Sequence, residues 1–223
     1  MLLVKMAVPV YNKDNKSVWK GETDMKSAAK DTERLFIAVR LPEEIGRVLG
    51  QECAEMSERL KFAKWTHPLD YHITLQFLGD TRKEQIPALL EALKEISGKH
   101  APFKLQLKEW GTFGPGSAPR VLWAGVSGEL GKLQELQRAV VSATAPLGFK
   151  TEERPYAPHL TLARKYRDEL PFSTERLGNL RVHKPVDENN CSENDWTVEG
   201  FVVYATRMHA IPMYEIIENL TFF

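Results

Sequence analysis

The phrase His-x-Thr-x occurs twice, as His72-Ile73-Thr74-Leu75 and as His159-Leu160-Thr161-Leu162, with apolar residues at every x. On a strand, successive side chains point to opposite faces. Each phrase therefore reads as a strand with an imidazole and a hydroxyl on one face and two apolar side chains on the other. The surroundings repeat too. Leu35-Phe36-Ile37-Ala38-Val39 reads as a buried strand. Pro42-Glu43 then opens a helix whose apolar face carries Ile45, Val48, Leu49, Met56 and Leu60, interrupted at Glu52. In the second half the run Val121 to Val126 reads as a strand, and Leu130, Leu133, Leu136, Val140 and Val141 mark a helix. Phe36 precedes His72 by 36 residues (72 − 36), and Val121 precedes His159 by 38 (159 − 121). Strand, helix, motif strand, twice at nearly equal spacing, is an internal duplication. The expected fold is α+β: two pseudo-symmetric lobes, each a mainly antiparallel sheet with outer helices, and a cleft between them that receives both histidines.

The remaining segments divide the chain. Residues 1–33 begin apolar and turn polar without helical or strand period, so they read as an appended, partly flexible N-terminal extension. Residues 34–223 read as a single bilobal domain. Gly79-Asp80 ends the first motif strand, and Thr81-Arg82-Lys83-Glu84 is a capping box for a helix carrying Ile86, Leu89, Leu90, Leu93 and Ile96. Phe103 to Trp110 begins as an alternating strand, and Gly111 to Pro119 is a Gly/Pro loop. Beyond the second motif, a short helix is expected over Ser173 to Leu180 and a long loop over His183 to Asp195. Two closing strands follow, Trp196 to Thr206 and Tyr214 to Phe223.

Lysine and arginine together number 30 and so do aspartate and glutamate, giving zero formal charge. A protein that coats nucleic acid is usually basic, so partners are expected to be gripped at a small site, such as one phosphate or a strand end. Cys53 and Cys191 are the only cysteines. They make no disulfide framework and no metal-binding pair. No stretch is long and apolar enough to span a membrane, and Met1 to Val10 makes a poor signal peptide. A cytoplasmic protein without membrane contact is expected, with a monomer favoured.

A zinc site needs three or four ligands, and neither motif has such spacing, so no metal and no cofactor are expected. A serine hydrolase needs a nucleophile on a sharp turn, and no Gly-x-Ser-x-Gly occurs. Two imidazoles suit in-line phosphoryl transfer: a neutral ring accepts a proton from the attacking oxygen, and a cationic ring donates one to the leaving oxygen. His72 and His159 are the candidate catalytic pair. Thr74 and Thr161 are candidate phosphate ligands through their hydroxyls. His67, His100, His183 and His209 are taken as solvated. Arg164 lies five residues after His159, an odd offset that reaches the cleft only if the strand ends or bulges near Ala163. By the same parity Phe77 is expected in the core, as is Trp123. Tyr156, just before the second motif, is a candidate for lining the cleft and touching substrate.

These residues resemble the 2H phosphoesterases, named for two His-x-Thr/Ser-x motifs, and among them the RNA 2',3'-cyclic phosphodiesterases, also called 2'-5' RNA ligases. The resemblance covers roughly residues 34–220. It rests on Leu35 to Val39 with Pro42-Glu43, Lys64-Trp65, His72 to Gly79, Pro119 to Gly125, Pro155 to Arg164, and Tyr214-Glu215. It implies metal-free hydrolysis of an RNA 3'-terminal or nucleoside 2',3'-cyclic phosphate to a 2'-phosphate, with 2'-5' ligation on the same site. Two alternatives remain open. One is a phosphodiesterase acting on another small cyclic nucleotide or an ADP-ribose cyclic phosphate; the other is a non-catalytic protein that binds nucleotides or RNA ends. The extension before Arg34 has no counterpart in the family pattern.

Overall fold

The structure is a computed structural model that describes residues 31–177 and 195–223, with two short paired strands, β1 (Val10–Tyr11) and β2 (Ser17–Val18). Residues 1–9, 12–16 and 19–30 of the N-terminal extension, the end of the short helix expected at Ser173 to Leu180, and nearly all of the loop expected at His183 to Asp195 lie outside the described residues.

β3 (Thr32–Arg40) reads as a continuous apolar run because both its faces are covered. Leu35, Ile37 and Val39 enter the main core, while Phe36 and Ala38 join Val202, Tyr204 and Tyr214 in a smaller cluster. α1 (Glu43–Arg59) buries Ile45, Leu49, Cys53 and Met56, so Cys53 rather than Glu52 continues its apolar stripe. Gly46 and Gly50 let α1 lie against the turn Pro68–Asp70; a Cβ on Gly50 would stand 2.6 Å from the Pro68 ring. That turn leads straight into β5 (His72–Arg82), the first motif strand.

β5 is longer than expected. It runs through Gly79-Asp80 to Arg82, and buried Thr81 lies within the strand. The capping box forms one residue later, between Arg82 and Gln85. α2 (Ile86–Ser97) buries Leu89 and Leu93 and packs on α3 (Leu130–Thr144), which buries Leu133, Leu136 and Val140. The remaining strands are β4 (Phe62–Trp65), β6 (Phe103–Phe113), β7 (Val121–Gly128), β8 (His159–Tyr166, the second motif strand), β9 (Asp195–Val198), β10 (Gly200–Thr206) and β11 (Tyr214–Thr221).

Nine strands form one sheet in the order β11-β10-β3-β5-β8-β7-β6-β9, with β4 added beside β8, and every pairing is antiparallel. The order is a palindrome about the β5–β8 junction. β3 answers to β7, β5 to β8, β10 to β6, and β11 to β9. Each half of the chain thus supplies its own motif hairpin and then sends a strand to the opposite lobe: β6 pairs with β7, and β10 returns to β3. The α+β bilobal expectation holds, with the lobes exchanging strands.

Candidate active site

The two motif strands, β5 and β8, pair at a single residue pair, Ile73 opposite Leu160. Both point to the core and are buried. One step either way in an antiparallel pair sets His72 alongside Thr161 and Thr74 alongside His159, all on the opposite face. The two motifs therefore form one cluster in which each imidazole neighbours the other motif's hydroxyl.

Each ring is held by the same local device. The Nδ1 of His72 donates to the backbone carbonyl of Asp70 at 2.7 Å, and the Nδ1 of His159 donates to that of Ala157 at 2.8 Å. A carbonyl only accepts, so the hydrogen of each neutral ring sits on Nδ1 and Nε2 keeps its lone pair. Phe36 and Tyr214 flank His72, with ring centroids 4.8 and 5.1 Å away. Phe113 meets His159 edge-on at 4.9 Å.

Burial among these rings lowers both imidazole pKa values, that of His72 to about 4. The backbone hydrogen bonds oppose the shift, and the positive charge of Arg164 adds to it. Burial therefore favours the neutral form of both rings.

Parity fails just past each motif, in the same way in both lobes. Against β3, Thr74 faces Ala38 and Gln76 faces Ile37, which leaves Leu75 as an extra residue. Against β7, Thr161 faces Trp123 and Ala163 faces Leu122, which leaves Leu162 extra. Leu75 and Gln76 are both buried, as are Leu162 and Ala163. Each bulge sends two successive side chains inward and turns the next one out. In β8 that next residue is Arg164, whose Nη2 donates to the Thr161 hydroxyl at 3.4 Å. The bulge required near Ala163 is present.

In β5 the corresponding residue is Phe77. It was expected in the core and is instead 54% exposed, with its ring 6.0 Å from that of Phe36. Buried Gln76 is tied to the other half of the chain, accepting from the Thr144 hydroxyl of α3 at 2.7 Å.

Trp123 also departs from expectation. It lies opposite Thr161 on the motif face, not in the core, and its ring covers Gly111, where a Cβ would come within 2.1 Å of the indole. Tyr156 packs against the main core, and its buried hydroxyl has no hydrogen-bond partner among the described residues. Of the other histidines, His67 caps the turn before Asp70 by accepting from the Leu69 amide, and His100 bonds the Ile96 carbonyl. His209 is exposed, and His183 lies outside the described residues.

Sequence reasoning missed Asp70. Its carboxylate is buried and accepts from the amides of Met213 and Tyr214 at 2.9 and 3.0 Å, so the residue that orients His72 through its carbonyl also anchors the start of β11. Asp70→Ala should strand two amide donors and lower the melting temperature by roughly 5–10 °C. Asp70→Asn, which keeps one acceptor oxygen, should lose less. A thermal melt checks both, and an unchanged alanine variant would remove the anchor from this description.

The model of the LigT-like phosphoesterases matches this chain in two consecutive stretches, residues 39–123 and 125–214, each holding one motif. The chain belongs to the LigT-like phosphoesterase family. Among curated LigT-like relatives, an RNA 2',3'-cyclic phosphodiesterase of Geobacillus stearothermophilus is 41% identical over 82% of this chain. That alignment spans 55% of the relative, so this chain covers about half of its length. One from Bacillus subtilis is 36% identical over 81% of this chain and 91% of its own. Among solved structures, E. coli LigT complexed with 3'-AMP superposes with a TM-score of 0.67 at 24% identity, covering 86% of this chain and 99% of that one. TT0787 of Thermus thermophilus superposes with a TM-score of 0.62 at 28% identity, covering 84% and 97%. Both share the LigT-like fold. Among the described residues no helix is long and apolar enough to cross a membrane.

Proposed function

We propose that this LigT-like protein hydrolyses an RNA-terminal or nucleoside 2',3'-cyclic phosphate to a 2'-phosphomonoester by metal-free acid–base catalysis. The observation that carries the reading is the crossed arrangement at the Ile73–Leu160 junction, where two tautomer-fixed imidazoles and two hydroxyls share one face. One neutral Nε2 takes a proton from water as the water oxygen attacks phosphorus. The other ring, as imidazolium, protonates the departing 3'-oxygen, and the P–O3' bond breaks to leave a 2'-phosphate. Thr74, Thr161 and Arg164 hold the non-bridging oxygens, where the charge of the transition state resides. Phe77 presents an exposed ring on which a base can stack. With the 5'-hydroxyl of a second RNA end attacking in place of water, the same step would open the cyclic phosphate into a 2'-5' phosphodiester, the 3'-oxygen again leaving as a hydroxyl.

The test is incubation with each nucleoside 2',3'-cyclic phosphate and with cyclic-phosphate-ended RNA, in EDTA, with the product isomer identified by NMR. A 3'-phosphate product, or activity that requires a divalent ion, would overturn the mechanism. The pH profile gives a second measure. Turnover needs one neutral and one cationic ring, so the rate is bell-shaped with limbs that belong to the pair. Because both rings titrate below the ordinary histidine value of 6.5 in the free protein, the optimum of kcat/KM should fall on the acid side of 6.5. The optimum of kcat should lie higher, since a bound phosphate anion favours the imidazolium. Coincident optima above pH 7 would contradict the burial described here.

A further inference from the structure

Beside β8 runs β4, and Lys64 sits directly opposite Arg164 in its register. The next pair along is Trp65 opposite Ala163. Ala163 is buried in the main core and Trp65 packs against that core. Lys64 and Arg164, one residue away on each strand, therefore face outward, and for Arg164 that is the face of His159 and Thr161. Like charges directly opposite each other on paired strands are destabilising. Here no carboxylate relieves them: among the described residues neither Lys64 nor Arg164 forms an ion pair.

The Lys64 amine lies 3.2 Å from the thioether sulfur of Met213, the residue before Tyr214, whose ring flanks His72. An ammonium has three donors, and a thioether is a weak acceptor. Lys64 thus places an exposed cation without a carboxylate partner at the edge of the cleft, one strand away from the arginine that touches Thr161. Strand spacing is about 5 Å, short enough for two extended side chains to hold neighbouring phosphates of one chain.

We propose that Lys64, beside Arg164, binds a second phosphate: the phosphodiester that joins the terminal nucleoside to the rest of an RNA chain. The inference rests on the cyclic-phosphate reading above and adds to it a preference for oligonucleotide ends over mononucleotides. A strand end carries that second phosphate and a nucleoside 2',3'-cyclic phosphate does not. Lys64 takes no part in the proton transfers; it determines specificity.

The experiment compares kcat/KM on a nucleoside 2',3'-cyclic phosphate with that on a dinucleotide ending in the same cyclic phosphate. The wild-type protein should favour the dinucleotide by about 10-fold or more, chiefly through KM, as a charge-assisted contact to phosphate does. That preference should weaken with added salt. Lys64→Met should lose about 10-fold more on the dinucleotide than on the mononucleotide, and Lys64→Arg should keep the preference. Equal wild-type rates on the two substrates, or equal losses on both in Lys64→Met, would overturn the second site and leave the hydrolysis reading standing. Turnover of neither substrate would instead overturn the reading on which it rests.

Discussion

His72→Ala and His159→Ala should each lower kcat/KM for cyclic-phosphate hydrolysis by about 10²–10⁴-fold, the usual cost of removing a general acid or base. Both variants should stay folded, because neither ring contributes to the main core. The double variant should be little slower than the slower single one, since one proton taken and one given make a unit, and half of it is of little use. The pH profile adds a sharper criterion. With one imidazole gone, the bell should lose one limb and become a single titration. Steady-state kinetics from pH 4 to 9 on the three variants measures all of this. A single variant that keeps more than a tenth of wild-type activity would take its histidine out of the chemistry.

Removing the groups assigned to the phosphate oxygens should have the next largest effect. Arg164→Met and Thr161→Ala should each reduce kcat by about 10²–10³-fold, the range for losing one donor to a developing oxyanion. The two residues touch through the Arg164 Nη2 and Thr161 Oγ1 contact, so their losses should not add. Thr161→Ser, which keeps the hydroxyl, should be milder than Thr161→Ala. Arg164→Met has a second signature. The Arg164 charge depresses both imidazole pKa values, so its removal should raise both and move the kcat/KM optimum to higher pH. A profile that stays in place while the rate falls would mean that the guanidinium acts on phosphate without reaching the rings.

Much of the site was legible in the chain because it is local. A motif of four residues spans one alternation of a strand, so the shared face of His72 with Thr74, and of His159 with Thr161, follows from period two alone. Simple alternation stops holding at the fifth position after each histidine. Phe77 was expected inside by the same counting that made Arg164 conditional, and both residues face outward. Counting fails there because Leu75 with Gln76, and Leu162 with Ala163, both turn inward. A bulge is set by the partner strand and by what the core will accept, for Gln76 a hydroxyl of α3 sixty-eight positions away. Trp123 was misplaced for a related reason. Its strand looks uniformly apolar, and only the bare backbone of Gly111 beneath the indole explains why so large a ring can lie on the motif face.

The sequence by itself determined the duplication, the two motif strands and the four groups they carry, since periodicity and spacing act over a few residues and need no partner. Tertiary structure alone decided which strands complete each lobe, because β6 and β10 cross to the opposite half to pair with β7 and β3. It also brought the Asp70 carboxylate to the amides of residues 213 and 214, and set Lys64 opposite Arg164. Strand pairing is a contact between segments far apart in the chain, and its register emerges only when both faces of the sheet find their cover.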